Sequence, residues 1–348
     1  MSSEIETLVA DVQHNCHIAD ARHGTDYGLC TYLMKMREYY RWEKGLGYTD
    51  SLGKDEVGDW LSERETLWDE VGTSEYRALV IHGKEHDPFD AESVNLRLRE
   101  HGLIYSGGLV QSGRAQFFLA ELADYEPGED GFELWIGQRE LARGLYAPPA
   151  MTRGRTIYLR RESLKQFLWE KYESWLWNRP DNAMGRALAC YPFEQDVNRA
   201  LEQMMASEMH VLRAHEIGEY RVGERLGPEW EEMLLAVLAT PGELMLRAVR
   251  DHLADCLETL PMLLGEGMPE ASLHTFMGNL GNMRKAIFPS LLSAYEAWLQ
   301  GDVAPLGELP ARAAPHWESV AGQALALYRE QPPDLAARIA RLVEANHY

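Results

Sequence analysis

The residues best suited to chemistry gather in SEMHVLRAHEIGEYRVGERLG, positions 207–227. At about 3.6 residues per turn, Leu201, Met204, Leu212, Val222 and Leu226 draw an apolar stripe that also carries Glu208, His215 and Glu219, so three polar groups are expected to face inward. A buried carboxylate has to be neutralised by a proton, an arginine or a cation. His215 and Glu219 stand one turn apart and can reach one metal ion, as the two histidines of the HExxH zinc peptidases do, with Glu219 in the second histidine's place. On that logic Glu216 is the general base acting on a metal-bound water.

Two further clusters offer ligands of the same kind. RDHLADCLE offers Asp251, His252, Asp255 and Cys256; His252 and Cys256 share a stripe with Met245, Val249 and Leu260, and His252 is expected to face His215 with the carboxylates one turn away. The alternative is a histidine hydrogen-bonded to a neighbour, with the aspartates in solvent. Around HNCHIADARH, Asp11-x-x-His14 and Asp20-x-x-His23 repeat the acid-x-x-His spacing by which di-iron carboxylate bundles place two ligands on one helix face, and His17 with Asp20 makes a further i, i+3 pair. Positions 14, 17 and 20 lie on a different face from 16 and 23, so they cannot all hold one ion, and a solvated histidine face is the competing expectation. Zinc and iron are the metals that such donors suit.

Between Gln138 and Arg179 nine basic residues meet four acidic ones, led by Arg153, Arg155, Arg160, Arg161 and Lys165. Such a cluster at a strand-to-helix junction could bind a phosphate or carboxylate, or simply pair with the surrounding acids. Gly107-Gly108 has neither the GxxxxGK[ST] nor the GxGxxG context of a phosphate loop, and no serine elbow or kinase motif set is present.

The elements that must position these groups follow from periodicity. Residues 4–23 read as an amphipathic helix and Tyr27–Lys44 as a second, forming a hairpin; a short helix follows near Glu56–Val71. HGKEHDPFD reads as a loop leading to a helix capped by Asp90. LIYSGGLV and AQFFLAEL have strand character and are joined by a turn at Gln111-Ser112-Gly113-Arg114; FELWI and TIYLR complete a small antiparallel sheet of three or four strands over about 103–160. Glu162–Trp177 is a helix packing Leu164, Phe167, Leu168, Tyr172 and Trp175, ended by Pro180-Asp181-Asn182. Beyond it, helices are expected over Glu194–Leu226, Pro228–Leu238, Gly242–Leu260, Leu273–Leu299 and Trp317–Val343, with Pro305, Pro310 and Pro315 marking a linker before the last. The fold class is α+β: N-terminal helices with a small antiparallel sheet, then an all-helical half.

At 348 residues the chain exceeds the size at which one core stops growing, so two domains are expected, 1–185 and 186–348. A formal charge of −21 repels phosphate backbones and anionic lipid, which leaves a small-molecule substrate or a protein as the expected partner, with oligomeric state open. MSSEIETLVADVQ lacks the basic region of a signal peptide, no run of about 18 apolar residues occurs, and Cys16, Cys30, Cys190 and Cys256 form no CxxC pair. A cytoplasmic protein with reduced thiols is expected.

At HNCHIADARH, YLMKMREYYRWEKG, WNRPDNAM, HEIGE and RDHLADC the chain resembles, from end to end, a bacterial family of uncharacterised proteins. The resemblance implies a bacterial cytosolic setting and transfers no catalytic role. Three functions are therefore expected in order: a metal-dependent hydrolase or oxidoreductase built on His215, Glu219 and His252 with Glu208, Asp255 or the N-terminal histidines; a non-enzymatic adaptor or assembly factor; and a small-anion sensor at Arg153–Lys165.

Overall fold

A computed structural model describes residues 3–110 and 114–348. Its chain divides into two compact units, residues 1–151 with 158–170, and residues 152–157 with 171–348.

The first unit opens with helices α1 (Ser3–His23), α2 (Leu29–Glu43) and α3 (Lys54–Val71). The segment expected as a loop instead forms a two-stranded hairpin, β1 (Leu79–Ile81) with β2 (Lys84–His86). Its turn residues His82 and Gly83 both have positive φ, 51° and 70°, the conformation of a tight hairpin turn that matches strand twist. Asp90 caps α4 (Ala91–Leu98) as expected, its side chain accepting from Ser93 N at 3.1 Å.

Five strands, not three or four, follow: β3 (Leu103–Val110), β4 (Arg114–Pro127), β5 (Glu133–Arg143), β6 (Ala150–Arg153) and β7 (Thr156–Arg160), in the order β3-β4-β5-β7-β6. β3 and β4 pair antiparallel down to Val110 opposite Arg114; the expected turn at Gln111-Ser112-Gly113 lies outside the described residues. β4 is covered on both faces, which explains its unbroken apolar run. Phe117 and Leu119 pack with Leu8, Val12 and Cys16 of α1, while Phe118 and Ala120 on the other face pack with Ile104, Trp135 and Tyr158. Helix α5 (Arg161–Leu176) then buries Leu164, Leu168 and Trp169; Phe167, Tyr172 and Trp175 are only half-buried.

The second half is helical. Pro180-Asp181-Asn182 ends α5 and also begins an unexpected short helix, α6 (Ala183–Ala189), because Asn182 Oδ1 accepts from Gly185 N at 2.8 Å. α7 (Val197–Leu226) and α8 (Pro228–Ala236) follow, with Asp196 capping α7. The expected helix 242–260 is α9 (Pro241–Ala254), continued by a π-helical turn at Asp255–Thr259 and by α10 (Leu260–Leu263). The expected helix 273–299 breaks into α11 (Glu270–Asn279), α12 (Asn282–Ile287) and α13 (Pro289–Leu299). Gly281 is extended at ψ 160°, and Pro289 keeps Phe288 out of the helical region, so neither junction continues the ladder.

The proline linker is corrected too. Pro305 sits in the first turn of α14 (Ala304–Arg329), where a missing N–H costs nothing, and Pro310 and Pro315 lie inside that helix. The break falls later, before α15 (Leu335–Glu344), at Gln331 with φ 50° and Pro332-Pro333. Packing overrides the proline signal because α14 supplies the core with Leu306, Leu309, Ala313, Trp317 and Ala321, beside Val249, Leu253 and Phe288.

Candidate functional site

On α7, His215 stands between two acids. Its Nδ1 donates to Asp255 Oδ1 at 2.9 Å and its Nε2 to Glu219 Oε1 at 3.3 Å. Each acid also has its own arginine: Arg284 of α12 pairs with Asp255 Oδ2, and Arg250 of α9 reaches Glu219 Oε2 at 3.0 Å. The result is an alternating chain, Arg284–Asp255–His215–Glu219–Arg250, assembled from α7, α9, the π turn and α12. Asp255 is 1% exposed, yet the side chains of His215 and Glu219 keep 23% and 19% of their surface, so solvent reaches part of the chain. The π turn matters to this placement. An extra residue in one helical turn changes which side chains face a neighbour, and such turns recur at functional sites.

Charge states follow from these contacts. Burial alone would lower the pKa of His215, but the Asp255 and Glu219 carboxylates outweigh it and hold the imidazolium well above its ordinary range. Burial works to raise Glu219 and Asp255, and the Arg250 and Arg284 guanidiniums respectively, with His215, hold both acids below the ordinary range. Two neighbouring acids go the other way. Glu216, hydrogen-bonded by Thr152 Oγ1 at 2.8 Å, is pushed up to about 7 by burial and by the charge of Glu219. Asp251 is pushed up to about 6 by the same two causes, although Arg250 lies 3.5 Å from its Oδ1. Two carboxyls held ionised beside two held near neutrality is the arrangement that separates acid from base roles in acid–base sites.

The other expected ligands do not join this centre. His252 points into the core, where Nε2 meets Arg284 O at 2.9 Å and the ring stacks on Trp317 with centroids 5.2 Å apart; burial and Arg284 push it down to about 3. It therefore does not face His215. Glu208, two turns before His215, lies against α11, where burial pushes it up to about 8 and the Ser272 and Thr275 hydroxyls work against that shift. Among the described residues no three His, Cys, Asp or Glu side chains converge in a way that could hold a metal ion.

The N-terminal histidines belong to the other unit, and the surrounding polar groups dock α1 there. Asn15 pairs with the Arg77 backbone through two bonds, at 2.9 and 2.7 Å, and Cys16 Sγ donates to Phe117 O at 3.3 Å. Asp20 accepts the Leu145 N–H at 2.9 Å, and burial pushes its carboxyl up to about 7. Arg64 Nη1 lies 2.8 Å from His17 Nε2 and Trp68 Nε1 donates to Nδ1 at 3.4 Å; burial and the Arg64 charge push His17 down to about 3. His14 is half-buried and lowered by burial and Arg77, and His23 sits 3.4 Å from Asp26.

The four expected anion ligands also separate. Arg160, 1% exposed, binds Glu140 through Nε and Nη2, both at 2.9 Å, and Arg143 shares that carboxylate at 3.3 Å. Arg161 donates to Gln138 at 2.7 Å, while Arg153 and Arg155 occupy the β6–β7 hairpin around Gly154 at φ 56°. Lys165 lies over the Tyr48 ring at 5.8 Å.

The sequence offered Asp251 within RDHLADCLE, but the parts played by Arg250 and Arg284 were missed. Arg250 stands inside the motif that carries His252 and Asp255, and that adjacency was the available signal. Arg284 is 29 residues from Asp255 and carried none.

Residues 7–160 match the N-terminal domain, and residues 165–346 the C-terminal domain, of a family of unknown function, DUF6866. None of the curated proteins or solved structures matches the chain. Among the described residues no helix is long and apolar enough to cross a membrane. With the two matches together spanning nearly all of the sequence, the chain belongs to this family of unknown function, DUF6866.

Proposed function

We propose that the protein is an enzyme whose active centre is the His215 cluster, and that it acts on a small polar substrate by proton transfer. The observation that carries this reading is the opposed set of acids around one imidazolium: Asp255 and Glu219 held ionised by Arg284 and Arg250, Glu216 and Asp251 held near neutrality by burial. Asp251, with 21% of its side chain exposed, is the more accessible proton donor and acceptor of the two raised acids, and Glu216, buried and bonded by Thr152, is the second. Arg250, Arg284 and protonated His215 supply three cations that can orient an anionic group.

Turnover profiling tests this. Small-molecule extracts are incubated with the full-length protein and with Glu216→Gln and Asp251→Asn, and consumed compounds are read by mass spectrometry. At least one compound is expected to be consumed by the wild type and spared by Asp251→Asn. No consumption by the wild type would defeat the enzyme reading and favour the adaptor, for which the exposed Leu235, Leu238 and Leu244 are the supporting observation.

Zinc or iron at His215 and Glu219 would require Arg250 to release Glu219. Elemental analysis of protein purified without a tag or added metal is therefore expected to give sub-stoichiometric zinc and iron. A near-stoichiometric value would replace proton transfer with a metal-bound water as the working chemistry.

A further inference from the structure

The turn of the β1–β2 hairpin and the 3₁₀ turn that follows α4, Arg99–His101, bring two exposed histidines together in the first unit. His82 Nε2 lies 3.2 Å from His101 Nε2, with the ring centroids 5.2 Å apart and the planes at 42°. Both backbones are set by tight turns. His82 and Gly83 close the hairpin beyond the Ile81–Lys84 pair, and Gly102, at φ 64°, caps the 3₁₀ turn by donating to Arg99 O at 3.1 Å. At the other ring nitrogen of His82 stands Glu4 of α1, which accepts from the His82 backbone N–H and places its Oε1 3.7 Å from Nδ1.

This geometry narrows what can sit between the rings. Two Nε2–H groups cannot both point at each other across 3.2 Å, so the facing nitrogens share one proton or turn both lone pairs on one cation. An anion would need both rings protonated, and the Glu4 carboxylate beside them would repel it. Zinc–imidazole bonds of about 2.0–2.1 Å at the tetrahedral angle set two ligand nitrogens about 3.3–3.4 Å apart, so the ion fits after a small shift of the rings. Glu4 stands where the second partner of a metal-bound imidazole commonly stands, facing Nδ1 and leaving the Nε2 lone pair to the ion. The net charge of −21 raises the local concentration of cations.

We propose that His82 and His101 form a surface site for zinc or another divalent ion that favours imidazole, held through the two Nε2 atoms, with Glu4 orienting the His82 ring. The ion takes the place of the proton between the rings, so neither histidine has to be charged. Two protein donors leave the remaining coordination positions to water, which makes the ion exchangeable and open to a further ligand. The site lies in the other unit from the His215 cluster and does not depend on that cluster being catalytic.

Calorimetric titration of the full-length protein with zinc chloride and with magnesium chloride tests the proposal, at slightly alkaline pH where imidazole is ordinarily neutral. The same titrations are run on His82→Asn, His101→Gln and the double variant. Zinc is expected to bind at submillimolar concentration, and magnesium, which takes oxygen donors, is not. Each single variant is expected to weaken the tightest zinc site about tenfold or more, and the double variant little further, because one remaining donor cannot chelate. Both side chains are exposed, and asparagine tolerates the positive φ at position 82, so the melting temperature without zinc is expected to be kept. Should one variant fail to fold, the other carries the comparison. Absence of zinc binding, equal binding of magnesium, zinc binding unchanged in a folded single variant, or losses that simply add in the double variant would each overturn the proposal.

Discussion

Glu216 and Glu219 stand three residues apart on α7 and titrate in opposite directions. The folded pKa of Glu216, about 7, lies above its unfolded value, so its contribution to stability is present at low pH and is lost as pH rises through about 7. Glu219 and Asp255 are lowered, so their contribution is present above the unfolded carboxyl range and is lost only in strong acid. Glu216→Gln keeps an acceptor for Thr152 and removes the ionisation, so the variant should be more stable than wild type by about 2 kcal/mol near pH 8 and nearly equal to it near pH 4.5, measured by urea unfolding. Greater stability together with lost turnover would mark Glu216 as functional. Arg284→Ala leaves Asp255 buried beside His215 alone and should cost about 3 kcal/mol in the same assay. His215 and Glu219 were legible as a pair from their spacing, whereas the arginines that set their charge were not, since their proximity is a product of helix packing.

Among the elements, α1 shows how a histidine-rich motif can serve docking. Asn15, Cys16 and Asp20 each bond backbone groups of other segments, and His17 is held neutral between Arg64 and Trp68. Asn15→Leu removes both bonds to Arg77 and leaves that part-buried backbone unpaired, so a loss of about 1 kcal/mol is expected, with faster amide exchange at Arg77. α14 carries an interior proline, Pro315, whose side chain is exposed and whose ring denies the helix a hydrogen bond. Pro315→Ala should therefore raise stability by about 1 kcal/mol, less than the full helix penalty because alanine also frees the unfolded chain. Helix α14 runs through its prolines because core contacts from Leu306 to Ala324 hold it together.

At the scale of the whole molecule, the buried titratable groups define a pH window. Asp20 and Glu216, near 7, and Glu208, near 8, all lose stability as pH rises through those values, and His215 loses its contribution as pH climbs above the unfolded histidine range. His17 and His252, both near 3, lose theirs as pH falls below about 6.5 toward 3, and Asp255, Glu219 and Glu140 lose theirs below the carboxyl range. Between about pH 4.5 and 6.5 the raised acids outweigh the two lowered histidines, so the melting temperature is expected to peak near pH 5 and to fall on both sides, as read by calorimetry. A melting temperature that still rises above pH 8 would contradict these assignments.

The sequence by itself determined the α+β class, the amphipathic helices α1, α7 and α9, the strand character of β3, β4 and β7, and the His215–Glu219 spacing. Each is a local property, set by side-chain period and cap chemistry within a few residues. Tertiary structure decided the rest: that His252 turns to Arg284 O and Trp317, that Arg250 and Arg284 hold the acids on either side of His215, that α14 runs through its prolines, and that Arg160 is spent on Glu140. These outcomes depend on which distant segment lies opposite, and on the high cost of leaving a buried charge or hydrogen-bonding group without a partner.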